Sequence, residues 1–151
     1  MLYNFQKVFL VILLTISFSC KNFNKEKYYD NFAIVTAKYE ATKAGHKILK
    51  MGGNAFDAMI ATDLALSVVY PNAGNLGGGG FMVYRTSNSQ YGSIDYREKA
   101  PLLSVENMYL DKNGNIIKNL SREGSLSIGV PGTVAGLFEV YEKFGTLPLD
   151  S

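Results

Sequence analysis

The chain has 151 residues, a formal net charge of +2 and 47% apolar residues. That length suits about one domain, and the nearly balanced charge gives no indication of a nucleic-acid partner. The single cysteine, Cys20, excludes a disulfide bond within the chain. The single histidine, His46, has no cysteine or carboxylate at metal-ligand spacing, so the sequence predicts neither a metal site nor a cofactor.

An apolar run of 11 residues, from Val8 to Phe18, follows Lys7 near the N-terminus. The run is too short to span a bilayer, which takes about 20 residues, and it is typical of a secretory signal peptide. We therefore assign residues 1–20 to a signal peptide and the polar residues 21–31 to a linker. The folded domain is predicted to occupy residues 32–151.

Cys20, at the end of the signal segment, has two interpretations. Small residues before a lone cysteine resemble a bacterial lipoprotein processing site, in which the cysteine is lipidated and tethers the protein to a membrane. In the other interpretation Cys20 is removed with the signal peptide. Both predict export across the inner membrane, to the periplasm or to a lipid anchor on a bacterial membrane.

The folded domain is predicted to begin with a strand and a helix. Residues 32–36 are mostly apolar and rich in β-branched side chains, which predicts a buried strand. Small and apolar residues at helical spacing then predict a helix over residues 41–50. Gly52 and Gly53 end this helix, because glycine tolerates the left-handed conformation of a C-terminal cap.

A second helix is predicted over residues 55–69, with Asn54 as its N-cap and Pro71 beyond its end. It is apolar on nearly all sides, so we expect it to be buried on nearly all sides and to need cover from later parts of a longer chain. The carboxylates of Asp57 and Asp63 argue against a membrane helix. We interpret them as helix-start and surface residues rather than as an acid–base pair.

A loop and a hairpin follow the second helix. Residues 72–80 are rich in glycine and asparagine, which predicts a loop. Residues 81–85 and 91–97 are predicted to be strands, joined by a turn at residues 86–90.

The last predicted elements are a turn and a helix. Asp111 to Gly114 contains an Asn-Gly pair and predicts a turn. A helix is predicted over residues 133–144, with Thr133 as its N-cap and Gly145 as its C-terminal glycine.

Four consecutive glycines, Gly77, Gly78, Gly79 and Gly80, are the most unusual feature of the chain. Their spacing matches neither the dinucleotide-binding nor the P-loop pattern, and they lead into a strand rather than a helix. Because glycine permits a close approach of backbone, we interpret the run as a loop packed beside an active site. A purely structural packing role is the alternative.

Arg97 lies near the end of the second predicted strand, where Asp95 and Arg97 face one side. A guanidinium matches a carboxylate bidentately, so one hypothesis is that Arg97 binds a substrate carboxylate. The alternative is a salt bridge with Asp95 or Glu98.

Four segments of the chain, in this order, resemble the gamma-glutamyltransferase (gamma-glutamyltranspeptidase) family. They are Gly52-Gly53-Asn54-Ala55-Phe56-Asp57-Ala58, Gly74-Asn75-Leu76-Gly77-Gly78-Gly79-Gly80-Phe81, Asp95-Tyr96-Arg97-Glu98-Lys99-Ala100-Pro101 and Gly129-Val130-Pro131-Gly132-Thr133. The likeness covers about residues 34–145 and corresponds to the N-terminal part of the family's large subunit. It implies an α+β fold of the N-terminal-nucleophile hydrolase type, an αββα sandwich, of which this chain is the N-terminal fragment.

The resemblance also implies an activity and its partners. Such enzymes are precursors that cleave themselves before a threonine, which then attacks the gamma-glutamyl amide of glutathione or a related donor. Water, an amino acid or a peptide accepts the gamma-glutamyl group, and the small subunit released by self-cleavage completes the site. The arginine matching Arg97 binds the α-carboxylate of the donor in this family.

The family's catalytic residues would lie beyond Ser151. We therefore expect a fragment or truncated product with no catalytic residue of its own, inactive in isolation. A truncated non-catalytic lipoprotein or binding module is the alternative function.

Overall fold

The computed structural model describes residue 29 and residues 31–151. The predicted signal peptide, most of the linker and Cys20 lie outside the described residues. Ile34–Ser151 form a compact unit of helices and one small sheet. Its elements, in chain order, are α1 (Tyr39–Lys50), α2 (Ala55–Val69), β1 (Phe81–Arg85), β2 (Tyr91–Asp95), a 3₁₀ turn (Ser125–Ser127) and α3 (Thr133–Phe144).

Helices α1 and α2 pack against each other, and their limits confirm the predicted ones to within two residues. Gly52 has a φ of +93°, the left-handed conformation expected after a helix. Asn54 caps α2: its side chain accepts hydrogen bonds from two backbone amides, and Asp57 completes a capping box. The helices approach closely at Gly45, because an added side-chain carbon there would lie 3.1 Å from the carbonyl oxygen of Ala58.

Strands β1 and β2 form the predicted antiparallel hairpin, with Phe81 opposite Asp95 and Arg85 opposite Tyr91, but the second strand ends at Asp95 rather than at residue 97. One face of the hairpin contributes buried side chains to the core, together with α2 and α3. The core residues are Ile60, Met82, Ile94, Leu137 and Val140. Aromatic rings extend this core, with Phe56 and Phe144 stacked at a centroid distance of 4.3 Å.

Two of the predictions about the first half of the domain are wrong. Residues 32–36 form no strand, because the only paired strands in the described part of the chain are β1 and β2. The described residues do not bury helix α2 on nearly all sides: Leu64 is 43% exposed and Val68 is 77% exposed. The described residues that pack against α2 leave this face uncovered. That later parts of a longer chain cover this face stays a prediction. None of the helices described is both long and apolar enough to cross a bilayer.

The predicted N-cap of α3 is also wrong. Gly132, not Thr133, occupies the cap position, and no side chain caps the helix. The backbone amides of Gly132 and Thr133 both donate to the carbonyl oxygen of Gly78, at 2.9 and 3.1 Å. A carbonyl of the glycine loop therefore replaces the side chain that usually caps a helix. Gly145 ends α3 as predicted.

Candidate substrate-binding site

The glycine loop lies against the backbone that leaves strand β2. A side-chain carbon added at Gly79 would lie 2.6 Å from the amide nitrogen of Glu98, 2.7 Å from the carbonyl oxygen of Tyr96 and 2.8 Å from Cα of Arg97. All three atoms belong to the backbone, so any side chain at Gly79 would displace the chain around Arg97. The structure thus brings together the two features that the sequence singled out, and their role in a substrate site stays a prediction.

Hydrogen bonds hold the backbone of Arg97 on both sides. Before it, the Tyr96 amide donates to the Gly80 carbonyl at 3.0 Å. After it, Lys99 and Val130 exchange two backbone hydrogen bonds, at 3.1 and 2.7 Å. The amide of Arg97 itself donates to a carboxylate oxygen of Asp95 at 3.0 Å. The direction in which the side chain leaves the backbone is therefore set by the surrounding fold.

The guanidinium of Arg97 is exposed, and its Cζ lies 5.9 Å from the centroid of the Phe81 ring. It forms no ion pair with Asp95, Glu98 or any other residue within the described ranges. The side chain borders an open depression of about 600 Å³. Further along this depression lie Ser104, Met108, Tyr109, Leu126 and Ile128. An exposed cation at its edge has its hydrogen-bond donors available for a carboxylate.

Sequence reasoning overlooked Tyr96, the residue before Arg97, and the glycines against which it packs. Gly132 and Gly136, at the start of α3, both lie against Tyr96. The signal was present in the sequence, because a glycine inside a helix costs about 1 kcal/mol relative to alanine and its presence calls for a packing reason. Burial raises the pKa of the Tyr96 hydroxyl, and the nearby carboxylate of Asp63 raises it further.

The other ionisable residues considered from the sequence are His46, Asp57 and Asp63. His46 lies half-buried on α1, away from the glycine loop. Asp57 starts α2 as predicted, whereas Asp63 is half-buried rather than a surface residue, and this burial raises its pKa. In residues 31–151, no group of three or more histidine, cysteine or carboxylate side chains could hold a metal ion.

Solved structures share the fold of the described residues. The crystal structure of Helicobacter pylori gamma-glutamyltranspeptidase matches with a TM-score of 0.77 and 46% identity, over 83% of this chain and 36% of that chain. Cephalosporin acylase from Bacillus halodurans matches with a TM-score of 0.63 and 27% identity, over 85% of this chain and 25% of that chain. The described residues thus form the N-terminal portion of an α+β fold of the N-terminal-nucleophile hydrolase type.

Sequence comparison narrows the class to one family. Residues 41–151 match the gamma-glutamyltranspeptidase family, and the chain belongs to that family. A glutathione hydrolase proenzyme from Pseudomonas sp. (strain A14) is 47% identical over 146 residues, which is 93% of this chain. The match covers 25% of that relative, so the chain spans about a quarter of its length.

Proposed function

We propose that the longer protein carrying this segment transfers or hydrolyses the gamma-glutamyl group of glutathione and related amides. Family membership and the relative named glutathione hydrolase proenzyme support the donor and a processed precursor. The nucleophile is a threonine in the C-terminal part, freed by self-cleavage, and its own amine serves as the base. Water, an amino acid or a peptide then takes the gamma-glutamyl group from the acyl-enzyme.

Arg97 binds the α-carboxylate of the donor in this proposal. The observation that carries it is an exposed guanidinium, without an ion pair in the described part of the chain, on a backbone held by the glycine loop and by the Lys99–Val130 bridge. The carboxylate of Asp95 accepts from the backbone amide of Arg97, which leaves the guanidinium for an outside anion. A planar fork of N–H donors binds a carboxylate through two parallel hydrogen bonds.

In this proposal residues 31–151 help to bind the donor, and the small subunit of the same precursor supplies the nucleophile. The 151 residues alone are therefore expected to release no glutamate from glutathione. This separation distinguishes the proposal from a non-catalytic lipoprotein or binding module, for which the longer protein would be inactive as well.

The test is Arg97→Ala in the longer protein, with glutathione as donor. We expect the donor KM to rise by a factor that corresponds to about 2–4 kcal/mol of lost binding, because the substitution leaves the substrate carboxylate without its charged partner. Steady-state kinetics of glutamate release give KM and kcat separately.

Arg85→Ala is the matched control. Arg85 is also exposed on the hairpin, but it lies at the far end, where it donates to the hydroxyl of Ser89 at 3.0 Å. Its removal should leave the donor KM unchanged. An unchanged donor KM in Arg97→Ala would remove Arg97 from the site, and the absence of glutamate release by the unaltered longer protein would refute the activity.

We also propose that the enzyme is exported across the inner membrane of a bacterium and is periplasmic or lipid-anchored through Cys20. The support comes from the sequence alone: the apolar run after Lys7 and the lone cysteine at its end.

A further inference from the structure

Tyr96 points away from Arg97, into the fold. Its side chain is half-buried and packs against the core residues of the hairpin and helices. Arg97, one position later, is exposed. Because successive side chains of an extended chain leave opposite faces of one backbone, a shift of the Tyr96 ring also turns the backbone from which Arg97 projects.

Three glycines from two separate segments surround Tyr96, and we name them the glycine seat: Gly80, Gly132 and Gly136. A side-chain carbon added at Gly80 would lie 2.8 Å from Cε2 of the Tyr96 ring. One added at Gly136 would lie 2.5 Å from Cβ of Tyr96. One added at Gly132 would lie 2.7 Å from the carbonyl carbon of Tyr96 and 2.9 Å from the carbonyl oxygen of Arg97. The position of Tyr96 is therefore fixed by backbone on several sides.

The seat is itself held together across the fold. The Gly78 carbonyl accepts the amides of Gly132 and Thr133, and the Thr133 hydroxyl donates to the carbonyl oxygen of Asn75 at 3.2 Å. These contacts join the glycine loop to the first turn of α3, the two segments that carry the seat. No hydrogen bond involves the hydroxyl of Tyr96 within the described residues, so the side chain is held by packing, mainly of its ring, against the glycine seat.

We infer that Tyr96, through its ring in the glycine seat, is a positioning residue that holds the Arg97 guanidinium in the direction required to bind the donor carboxylate. The inference rests on the proposed function, because it needs Arg97 to contact the donor. It assigns a specific task to Gly136, a helix-interior glycine that helix stability alone would disfavour.

The experiment compares four variants of the longer protein with glutathione as donor. Gly136→Ala pushes the ring out of its seat, and Tyr96→Leu removes the ring. Each should raise the donor KM on the order of 10-fold and change kcat by less than about twofold, since a misdirected contact weakens binding before it alters the chemistry. Tyr96→Phe keeps the ring and should keep KM within about twofold of the unaltered protein.

Gly45→Ala is the fourth variant and serves as the matched control. It makes the same change inside another helix, where the new carbon would meet the hydroxyl of Thr62 and lie 3.1 Å from the carbonyl oxygen of Ala58, and neither Tyr96 nor Arg97 is among its nearest neighbours. It should lower the melting temperature and leave the donor KM unchanged. If Gly136→Ala fails to fold, the comparison of Tyr96→Leu with Tyr96→Phe decides the question alone.

A double-substitution cycle with Arg97→Ala separates positioning from general damage. Once Arg97 is absent, Gly136→Ala or Tyr96→Leu should raise the donor KM no further. Equal effects with and without Arg97, an unchanged KM in Tyr96→Leu, or an equal rise in Tyr96→Phe would overturn the inference. If Arg97→Ala itself has no effect, the proposed site and this inference fall together.

Discussion

The carboxylate of Asp57 accepts two hydrogen bonds from Thr146, a residue 89 positions later in the chain. The backbone amide of Thr146 donates to Oδ1 at 3.0 Å, and its hydroxyl donates to Oδ2 at 2.5 Å. The same carboxylate accepts from the amide of Asn54 at 2.9 Å. Asp57 thus joins the start of α2 to the chain that leaves α3, and holds together the two helices that cover the hairpin.

Replacement of Asp57 by asparagine should destabilise the fold. The asparagine amide has only one acceptor oxygen, so hydrogen bonds to a charged acceptor are lost, and we expect a decrease of about 2 kcal/mol in the free energy of unfolding. Denaturant titration of the longer protein measures it.

Asp63→Asn is the control for the Asp57 substitution. Asp63 also lies on α2, but no described residue donates a hydrogen bond to it, and burial raises its pKa, which means that the fold disfavours its charge. Its neutralisation should leave stability unchanged or raise it. Equal losses from the two substitutions would contradict the linking role of Asp57.

The pH dependence of stability should also report the contribution of Asp57 to the stability of the fold. Burial alone would raise its pKa, but hydrogen bonds from the side chain and amide of Thr146, and from the amides of Asn54 and Leu147, together lower it below 3.8. A carboxyl group with a lowered pKa in the folded state contributes stability above pH 3.8, and that contribution is lost as the pH falls through the folded-state pKa.

The melting temperature should therefore fall more steeply below pH 3.8 in the unaltered longer protein than in Asp57→Asn. Some acid dependence will remain, because hydrogen bonds from Asn115 and Asn113 also lower the pKa of Asp111. An equally steep fall of the melting temperature below pH 3.8 in the two proteins would show that Asp57 contributes no such stability.

Gly79→Ala should damage both stability and donor binding. The new carbon would meet three backbone atoms at 2.6–2.8 Å, and backbone cannot move aside as a flexible side chain can. We expect a loss of about 1–3 kcal/mol in unfolding free energy and a raised donor KM in the longer protein.

Gly74→Ala is the control for the loop, because its new carbon would lie 3.4 Å from Cβ of Leu66, an ordinary contact. It should change neither the unfolding free energy nor the donor KM. The close packing of Gly79 on the Arg97 backbone would be in doubt if both alanines were tolerated equally.

Cys20→Ser distinguishes a lipid anchor from a signal peptide that is simply removed. If Cys20 is lipidated, the substitution should move the longer protein from the membrane fraction to the soluble fraction of a bacterial host. Immunoblots of the two fractions measure this. Unchanged membrane attachment would argue for a spanning segment, and a soluble protein before and after the substitution would argue for complete removal of the signal peptide.

Local signals predicted the elements well. Asn54, Gly52 and Pro71 act on their immediate neighbours, so the limits of α1 and α2 followed from the chain itself. Two predictions were wrong, the strand at residues 32–36 and the burial of α2 by the described residues, because both depend on partners that lie elsewhere in the fold. The predicted N-cap of α3 was wrong for the same reason, since the carbonyl of Gly78, 54 positions earlier than Gly132, takes the place of the expected side chain.

The amino-acid sequence by itself determined the family, the helices and the hairpin, and it singled out Arg97 as a candidate substrate-binding residue. It could do so because motifs and periodicity are properties of neighbouring residues. Only the tertiary structure decided that the glycine loop lies against Arg97, that Tyr96 sits among Gly80, Gly132 and Gly136, and that Asp57 holds Thr146. Contacts between distant segments depend on how packed elements exclude volume and satisfy buried polar groups, and the order of residues along the chain does not specify those distances.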